Sequence, residues 1–382
     1  MGEHRAVLVD TFGALQAASA ALAGAERYFL DTEFDRNRLC LVQVSAGREV
    51  YLVDTLRLTA LEPLAGAIGR AGAEWVLLDG AQDAEFLLGA MEIRERPRVF
   101  DVQVAWGLLG PEYPVSLAYL IYRILGVRSA KGFQASDWTR RPLSPGQLEY
   151  AAGDVDFLPA IRERVAARLA EKGRLDLAYE VSAETVFPDP PGPLGLDEFR
   201  NAWQLDAAGQ AALRFLVDWY NGLAPAERRE APHPRSFFSI ASLLPETGAD
   251  LARVRGVDPR WARRRGDALA GKILRASAAA SRDASFQLLE PPPYDDFGRI
   301  LAEGWIRKAA AEITAELGIA PGLSFPDRLL LAMSKAAAVG GPEAAAGLLG
   351  GWRERILKGP FLARARGAGG SANLCHIPSQ ES

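Results

Sequence analysis

The chain has 382 residues, 49% of them hydrophobic and 24% charged, and a formal net charge of −4. Its length exceeds one ordinary domain and suits two or three, and the absence of any run of about 18 consecutive apolar residues excludes a membrane-spanning helix. The mildly acidic balance argues against coating nucleic acid by bulk electrostatics but leaves room for a local basic surface.

The first ten residues lack a basic segment followed by a long apolar core, so no signal peptide is expected. Cys40 and Cys375 lie far apart and imply no disulfide framework, which suggests a cytoplasmic setting. In chain order, residues 6–10 read as a strand and 12–24 as an Ala-rich helix capped by Thr11. Residues 27–34 form a strand that carries Asp31 and Glu33. Strands at 39–44 and 49–53 follow after short polar breaks, which predicts an antiparallel meander. Helix then alternates with strand: a helix at 58–70, a buried strand at 75–78, and helices from Asp83 to Met91, at 101–109 and at 116–125. Ser144 at N-cap and Pro145 at N1 open a long helix expected to reach Lys172. The pattern is that of a mixed sheet with helices on both faces.

Four prolines within residues 188–193 mark a semi-rigid linker. Helical periodicity resumes near 205 and runs to 276, with Ala211, Leu213, Leu216, Val217 and Tyr220 on one stripe. A second Pro-rich break near 291–293 precedes amphipathic helices over 300–365, and a Gly/Ser-rich tail is expected to be disordered. The organisation expected is therefore an α/β domain at 1–175, a connecting segment at 176–204, a helical domain at 205–280, a second one at 300–365, and the tail at 366–382.

Three scattered histidines, His4, His233 and His376, argue against a histidine-based zinc site or a Ser-His-Asp triad. Hydrolytic chemistry would fall to carboxylates. Asp31 and Glu33, two apart on a strand, project to the same face. Two such charges about 4 Å apart repel by about 4 kcal/mol at an effective dielectric near 20, so the fold must supply a cation or protonate one of them. Alone, such a pair is more often a solvated strand end. Asp83 opens a helix after a buried strand, however, and Tyr150 and Asp154 share a helix face four residues apart. Four acids and a tyrosine in the order D-x-E, D, Y-x-x-x-D suit a pair of hard divalent cations. Two ions about 3.5–4 Å apart can stabilise both the attacking and the leaving oxygen at phosphorus.

At these residues the chain resembles the ribonuclease D family of DEDD exonucleases, in its tyrosine-containing branch. The matching segments are Asp31-Thr32-Glu33-Phe34, Leu39 to Val44, Gly80-Ala81-Gln82-Asp83, Phe100-Asp101-Val102-Gln103, Ser136-Asp137-Trp138, Arg141-Pro142-Leu143 and Gln147 to Val155. The resemblance covers about 1–175 and implies a ribonuclease H-like α/β exonuclease domain. It assigns Asp31 to both metals, Glu33 and Asp154 to the nucleophile-side metal, Asp83 to the second metal, and Tyr150 to the attacking water. A phenol, with a pKa of about 10, is a poor base at neutral pH, so an orienting role is expected. Two departures stand out. Only Asp35 to Arg38 separate the acidic motif from the next strand, and Leu78 stands where the family commonly has histidine.

Residues 205–276 resemble the HRDC helical module, and 300–365 resemble its degenerate second copy, so all-α HRDC-like domains are expected to follow the exonuclease. Arg255, Arg263 and Arg264 belong to a basic cluster suited to phosphate contacts or, equally, to a solvated helix face. Lys131 and Arg141 are candidate backbone contacts. Trp138 is a candidate stacking platform, although a buried anchor is the more common role for such a ring. Asp101 reads as a helix N-cap rather than a ligand. The expected activity is metal-dependent 3′→5′ hydrolysis of single-stranded RNA ends with Mg²⁺ or Mn²⁺, yielding nucleoside 5′-monophosphates. In the family the processed RNAs include tRNA precursors, and neither a membrane nor an obligate protein partner is implied. The rivals are a DNA 3′→5′ exonuclease on the same scaffold and an idle nucleic-acid-binding protein.

Overall fold

Six stretches rich in Val, Leu, Tyr and Phe form one sheet in the computed structural model. The structure describes residues 5–367 apart from 36–37, 48, 59, 129–131, 134–135, 190–191, 200, 281, 284 and 291–296. The strands are β1 (Arg5–Val9), β2 (Arg27–Asp35), β3 (Arg38–Ser45), β4 (Glu49–Val53), β5 (Glu74–Leu77) and β6 (Arg98–Asp101). Their order is β1-β4-β3-β2-β5-β6. β2, β3 and β4 pair antiparallel, as their short connections require, while β1 joins β4 and β5 and β6 extend from β2 in parallel.

Chain topology divides the molecule into two units, residues 1–189 with 297–382, and residues 190–296. The first contains α1 (Phe12–Leu22), α2 (Glu62–Ile68), α3 (Ala81–Ala90), α4 (Val102–Gly107), α5 (Leu117–Leu120), α6 (Pro145–Asp156), α7 (Leu158–Glu171) and α8 (Leu175–Val186). The second contains α9 (Ala207–Asn221), α10 (Pro225–Glu230), α11 (Phe237–Leu243), α12 (Gly248–Leu251) and α13 (Pro259–Ala280). α14 (Phe297–Leu317), α15 (Pro321–Ser324), α16 (Asp327–Ala346), α17 (Gly351–Arg353) and α18 (Gly359–Gly367) return to the first.

Period-two alternation separates two apolar layers. Tyr28, Leu30, Val42, Val44 and Val53 face one way and pack with Leu15 and Leu22 of α1, Leu64 of α2 and Leu87 of α3. Phe29, Leu41, Val50, Leu52 and Phe100 face the other way, with Ala151 and Val155 of α6 and Ile161 of α7. Ile306, Ile313, Met333, Trp352 and Phe361 belong to this second layer. The helices of 300–365, read from sequence as a domain apart, therefore share a core with the exonuclease region. The second unit has its own core around Leu213, Leu216, Phe237, Ile240, Trp261 and Ile273.

The long helix expected from 145 to 172 is two helices. α6 ends at Asp156 and α7 begins at Leu158, with Pro159 in its first turn. Proline lacks the N–H of a continuous helix and its ring crowds the preceding turn, so the break falls just before it. Of the expected tail, Arg366 and Gly367 close α18, while 368–382, the prolines at 291–293 and Lys131 lie outside the described residues.

Candidate active site

Asp31 and Glu33 lie on the face of β2 that α6 covers, followed by a register shift between Glu33 and Phe34. α6 starts with a reciprocal capping box. The Ser144 hydroxyl accepts from the Gln147 N–H, and the Gln147 side chain accepts from the Ser144 N–H. One turn further along, the helix presents Tyr150 and Asp154 together, and the Tyr150 hydroxyl hydrogen-bonds to the Asp154 carboxylate. Carboxylate oxygens of Asp31, Glu33 and Asp154 lie within 4.8 Å of one another.

Asp83 reaches the cluster from the first turn of α3. Gly80 starts that helix, and a Cβ there would come 2.5 Å from Leu77 Cβ, so the turn requires glycine. The buried Asp101 carboxylate locks the same turn from β6. Its Oδ2 accepts from the Gly80 N–H at 3.0 Å, while its Oδ1 caps α4 through Gln103 N–H at 2.8 Å and Val104 N–H at 3.2 Å. Asp101 is therefore a cap, as its sequence setting suggests, and it also aims Asp83. The Thr32 hydroxyl donates to Asp83 Oδ1.

The electrostatics follow from this crowding. Burial, then repulsion from Asp83, Asp154 and Glu33, hold the Asp31 carboxyl well above the usual range. Burial and repulsion from Asp154 and Asp83 push Glu33 up to about 8. Burial raises Asp154 to about 7 against the opposing Tyr150 hydrogen bond. Burial raises Asp83 to about 6, with the Thr32 hydroxyl opposing it. Among the described residues, no lysine or arginine pairs with any of the four. Four hard oxygen donors that resist ionisation in one another's company, with no basic side chain to balance them, fit divalent cations.

The nucleic-acid candidates fare differently. Trp138 is only 3% exposed and packs its indole 6.3 Å from the Tyr150 ring, so it is a wall behind the tyrosine rather than an open stacking platform. Arg141 is also corrected. Its Nε donates to Asp54 Oδ2 at 2.5 Å and its Nη2 to Asp54 Oδ1 at 2.8 Å. The remaining N–H groups go to the carbonyls of Cys40, Trp138 and Arg140. All five guanidinium donors are spent inside the protein, leaving none for a phosphate. Arg255, Arg263 and Arg264 are exposed in the second unit, and among the described residues none of them pairs with a carboxylate. Sequence reasoning did not single out Thr32, Asp54 or Gln43. Gln43 carried a visible signal, as a polar residue inside the apolar run Leu39 to Val44.

Residues 7–170 match the family model of a 3′-5′ exonuclease. Ribonuclease D of Pseudomonas paraeruginosa is 30% identical over 335 residues, covering 85% of this chain and 88% of that protein. Ribonuclease D of Xanthomonas oryzae is 34% identical over 266 residues, 65% of this chain and 66% of the relative. The crystal structure of Escherichia coli RNase D, described as an exoribonuclease involved in structured RNA processing, matches with a TM-score of 0.72 at 23% identity, over 95% of this chain and 99% of that one. The catalytic core of RRP6 from Trypanosoma brucei matches with a TM-score of 0.54 at 21% identity, over 74% and 81% of the two chains. The two structural likenesses establish a shared fold. The extended similarity to the Pseudomonas enzyme goes further: the chain belongs to the ribonuclease D family.

Proposed function

We propose that this chain is a metal-dependent 3′→5′ exoribonuclease that removes nucleotides from single-stranded RNA ends with Mg²⁺ or Mn²⁺ and releases nucleoside 5′-monophosphates. The observation that carries the reading is the convergence of Asp31, Glu33 and Asp154 within 4.8 Å. Asp83 raises the pKa of both Asp31 and Glu33 by its charge. Asp31, Glu33, Asp83 and Asp154 are the residues that would hold the metal. When bound, divalent ions supply an acidified water and offset the negative charge that builds on the phosphate and the leaving 3′-oxygen.

The protein's own groups do the rest. Tyr150, hydrogen-bonded to Asp154 and backed by Trp138, fixes the direction from which water approaches phosphorus. Glu33, whose carboxylate lies within 4.8 Å of those of Asp31 and Asp154, would take up a proton of that water, and the leaving 3′-oxygen would be protonated from solvent as the P–O3′ bond breaks. Asp101 and Thr32 hold Asp83 in place. The natural substrates are taken to be 3′ extensions of structured RNAs such as tRNA precursors; the Escherichia coli enzyme is described as involved in structured RNA processing.

The test follows a 5′-labelled single-stranded RNA with Mn²⁺ or Mg²⁺, and then with the metal chelated. A ladder shortening from the 3′ end is expected, with chelation abolishing it and Asp31→Asn lowering kcat by more than about 10²-fold. Absence of shortening with either metal overturns the reading, and equal turnover of the matching DNA overturns the RNA preference.

A further inference from the structure

One polar side chain beside the carboxylate cluster has no explained role. Gln43 lies in the middle of β3 and is completely buried, at 0% exposed. Among the described residues, neither its Nε2 nor its Oε1 has a hydrogen-bond partner. A buried amide without partners is strongly disfavoured, and natural cores rarely keep one that has no use. A leucine or methionine would fill the same space at no such cost.

The strand register says what the amide faces. Gln43 is directly opposite Asp31 in the antiparallel β2–β3 pair. Opposed residues in such a pair point to the same face, with Cβ atoms about 4.5–5.5 Å apart. On its other side Gln43 is opposite Leu52 of β4, whose side chain belongs to the apolar layer under α6. The amide is thus buried on the sheet face that α6 covers, between Leu52 on one neighbouring strand and Asp31 on the other. Asp31 is the charged residue directly opposite Gln43 in the strand pair, and it is an acceptor when ionised.

We propose that Gln43 is a positioning residue for Asp31: its Nε2 donates to the ionised Asp31 carboxylate and fixes the rotamer in which that carboxylate binds metal. The inference rests on the metal-site reading above. Partners that donate to a ligating carboxylate orient it, and their loss typically costs 10–100-fold in metal affinity or activity. Gln43 touches neither substrate nor reacting atoms in this role, so its effect runs through Asp31 alone.

The test uses the full chain with Gln43→Met, which keeps the volume and removes both polar atoms. Gln43→Leu serves as the second variant should the first fold poorly. Mn²⁺ binding is measured by titration calorimetry without RNA, melting temperature by metal-free calorimetry, and kcat and KM with a single-stranded RNA. The expected result is Mn²⁺ affinity lowered about tenfold or more, kcat lowered with KM nearly constant, and a metal-free melting temperature equal to or above that of the parent. Unchanged Mn²⁺ affinity and kcat in a folded variant overturn the proposal and leave Gln43 as packing. Asp31→Asn, run in parallel, separates the two levels. If it too binds Mn²⁺ like the parent, the metal-site reading fails and the proposal fails with it. If it loses the metal while Gln43→Met keeps it, only the role of Gln43 is overturned.

Discussion

Asp31, Glu33, Asp83 and Asp154 are acids that the metal-free fold prefers to keep protonated. Their folded pKa values lie above those of the unfolded chain, with Glu33 at about 8, Asp154 at about 7 and Asp83 at about 6. The folded state therefore binds more protons than the unfolded one between about pH 4 and pH 8, and the linkage has a definite sign. The stability that protonation supplies is fully present below the unfolded values and is lost as pH rises through 6 to 8. Metal-free protein is expected to melt at a lower temperature at pH 8.5 than at pH 5.5. Asp31→Asn should shrink the difference and saturating Mn²⁺ should reverse it, as scanning calorimetry would record. Metal affinity itself should climb over the same window, because each ligand must lose its proton to bind. These four acids and Tyr150 were readable from sequence because period two on a strand and a four-residue step on a helix are local rules. The burial of Trp138 was the more common expectation for such a ring, but the partner of Arg141 was not readable. Whether an arginine in a loop meets a phosphate or a buried Asp54 is decided by residues 87 positions away.

At the scale of elements, the site depends on how α6 is moored. The loop ahead of it is pinned by the Arg141–Asp54 pair, whose side chains are 14% and 2% exposed. Asp54 leaves the end of β4, so this pair ties the start of the helix that carries Tyr150 and Asp154 to the sheet that carries Asp31. Arg141→Ala strands a buried carboxylate and is expected to destabilise the protein by about 3 kcal/mol in urea unfolding. It should leave the salt dependence of RNA binding unchanged, whereas a phosphate-contacting arginine would lower that slope. Ser144→Ala, which removes the cap of the same helix, should cost about 1 kcal/mol. The meander, the strand at β5 and the start of α6 followed from alternation, turn residues and capping chemistry. The break at Phe157 was missed because the apolar stripe runs straight through it, and Pro159 was not weighed as a helix start.

At the scale of the molecule, the second unit is an insertion: residues 190–296 interrupt a unit built from both ends of the described chain. This changes how a nucleic-acid role for the basic cluster can be tested. Cutting the chain near residue 200 would also remove Ile306, Ile313, Trp352 and Phe361 from the core shared with the exonuclease sheet. Such a truncation is expected to lose cooperative unfolding by circular dichroism, whatever the second unit binds. Replacing Arg255, Arg263 and Arg264 together with glutamine leaves that core intact. If they contact phosphates, RNA affinity should fall and the slope of log K against log salt should shrink by about 2; an unchanged slope would return them to solvent. The boundary between helical regions was sequence-visible through its prolines. The partition of the C-terminal helices was not, because an amphipathic stripe states that a face is buried and not what buries it.

The split connectivity also orders events during synthesis. When residue 189 has left the ribosome, every acid of the cluster has been made. The second apolar layer still lacks Ile306, Trp352 and Phe361. At about 5–20 residues per second, the last of these arrives roughly 10–30 s later. During the interval the intervening unit, whose core is its own, can fold, while the first unit still exposes part of its apolar layer. A chain that stops in this window would hold Asp31, Glu33, Asp83, Tyr150 and Asp154 but lack part of the core around them. Folding of the first unit is therefore expected to wait for the helices between residues 297 and 367.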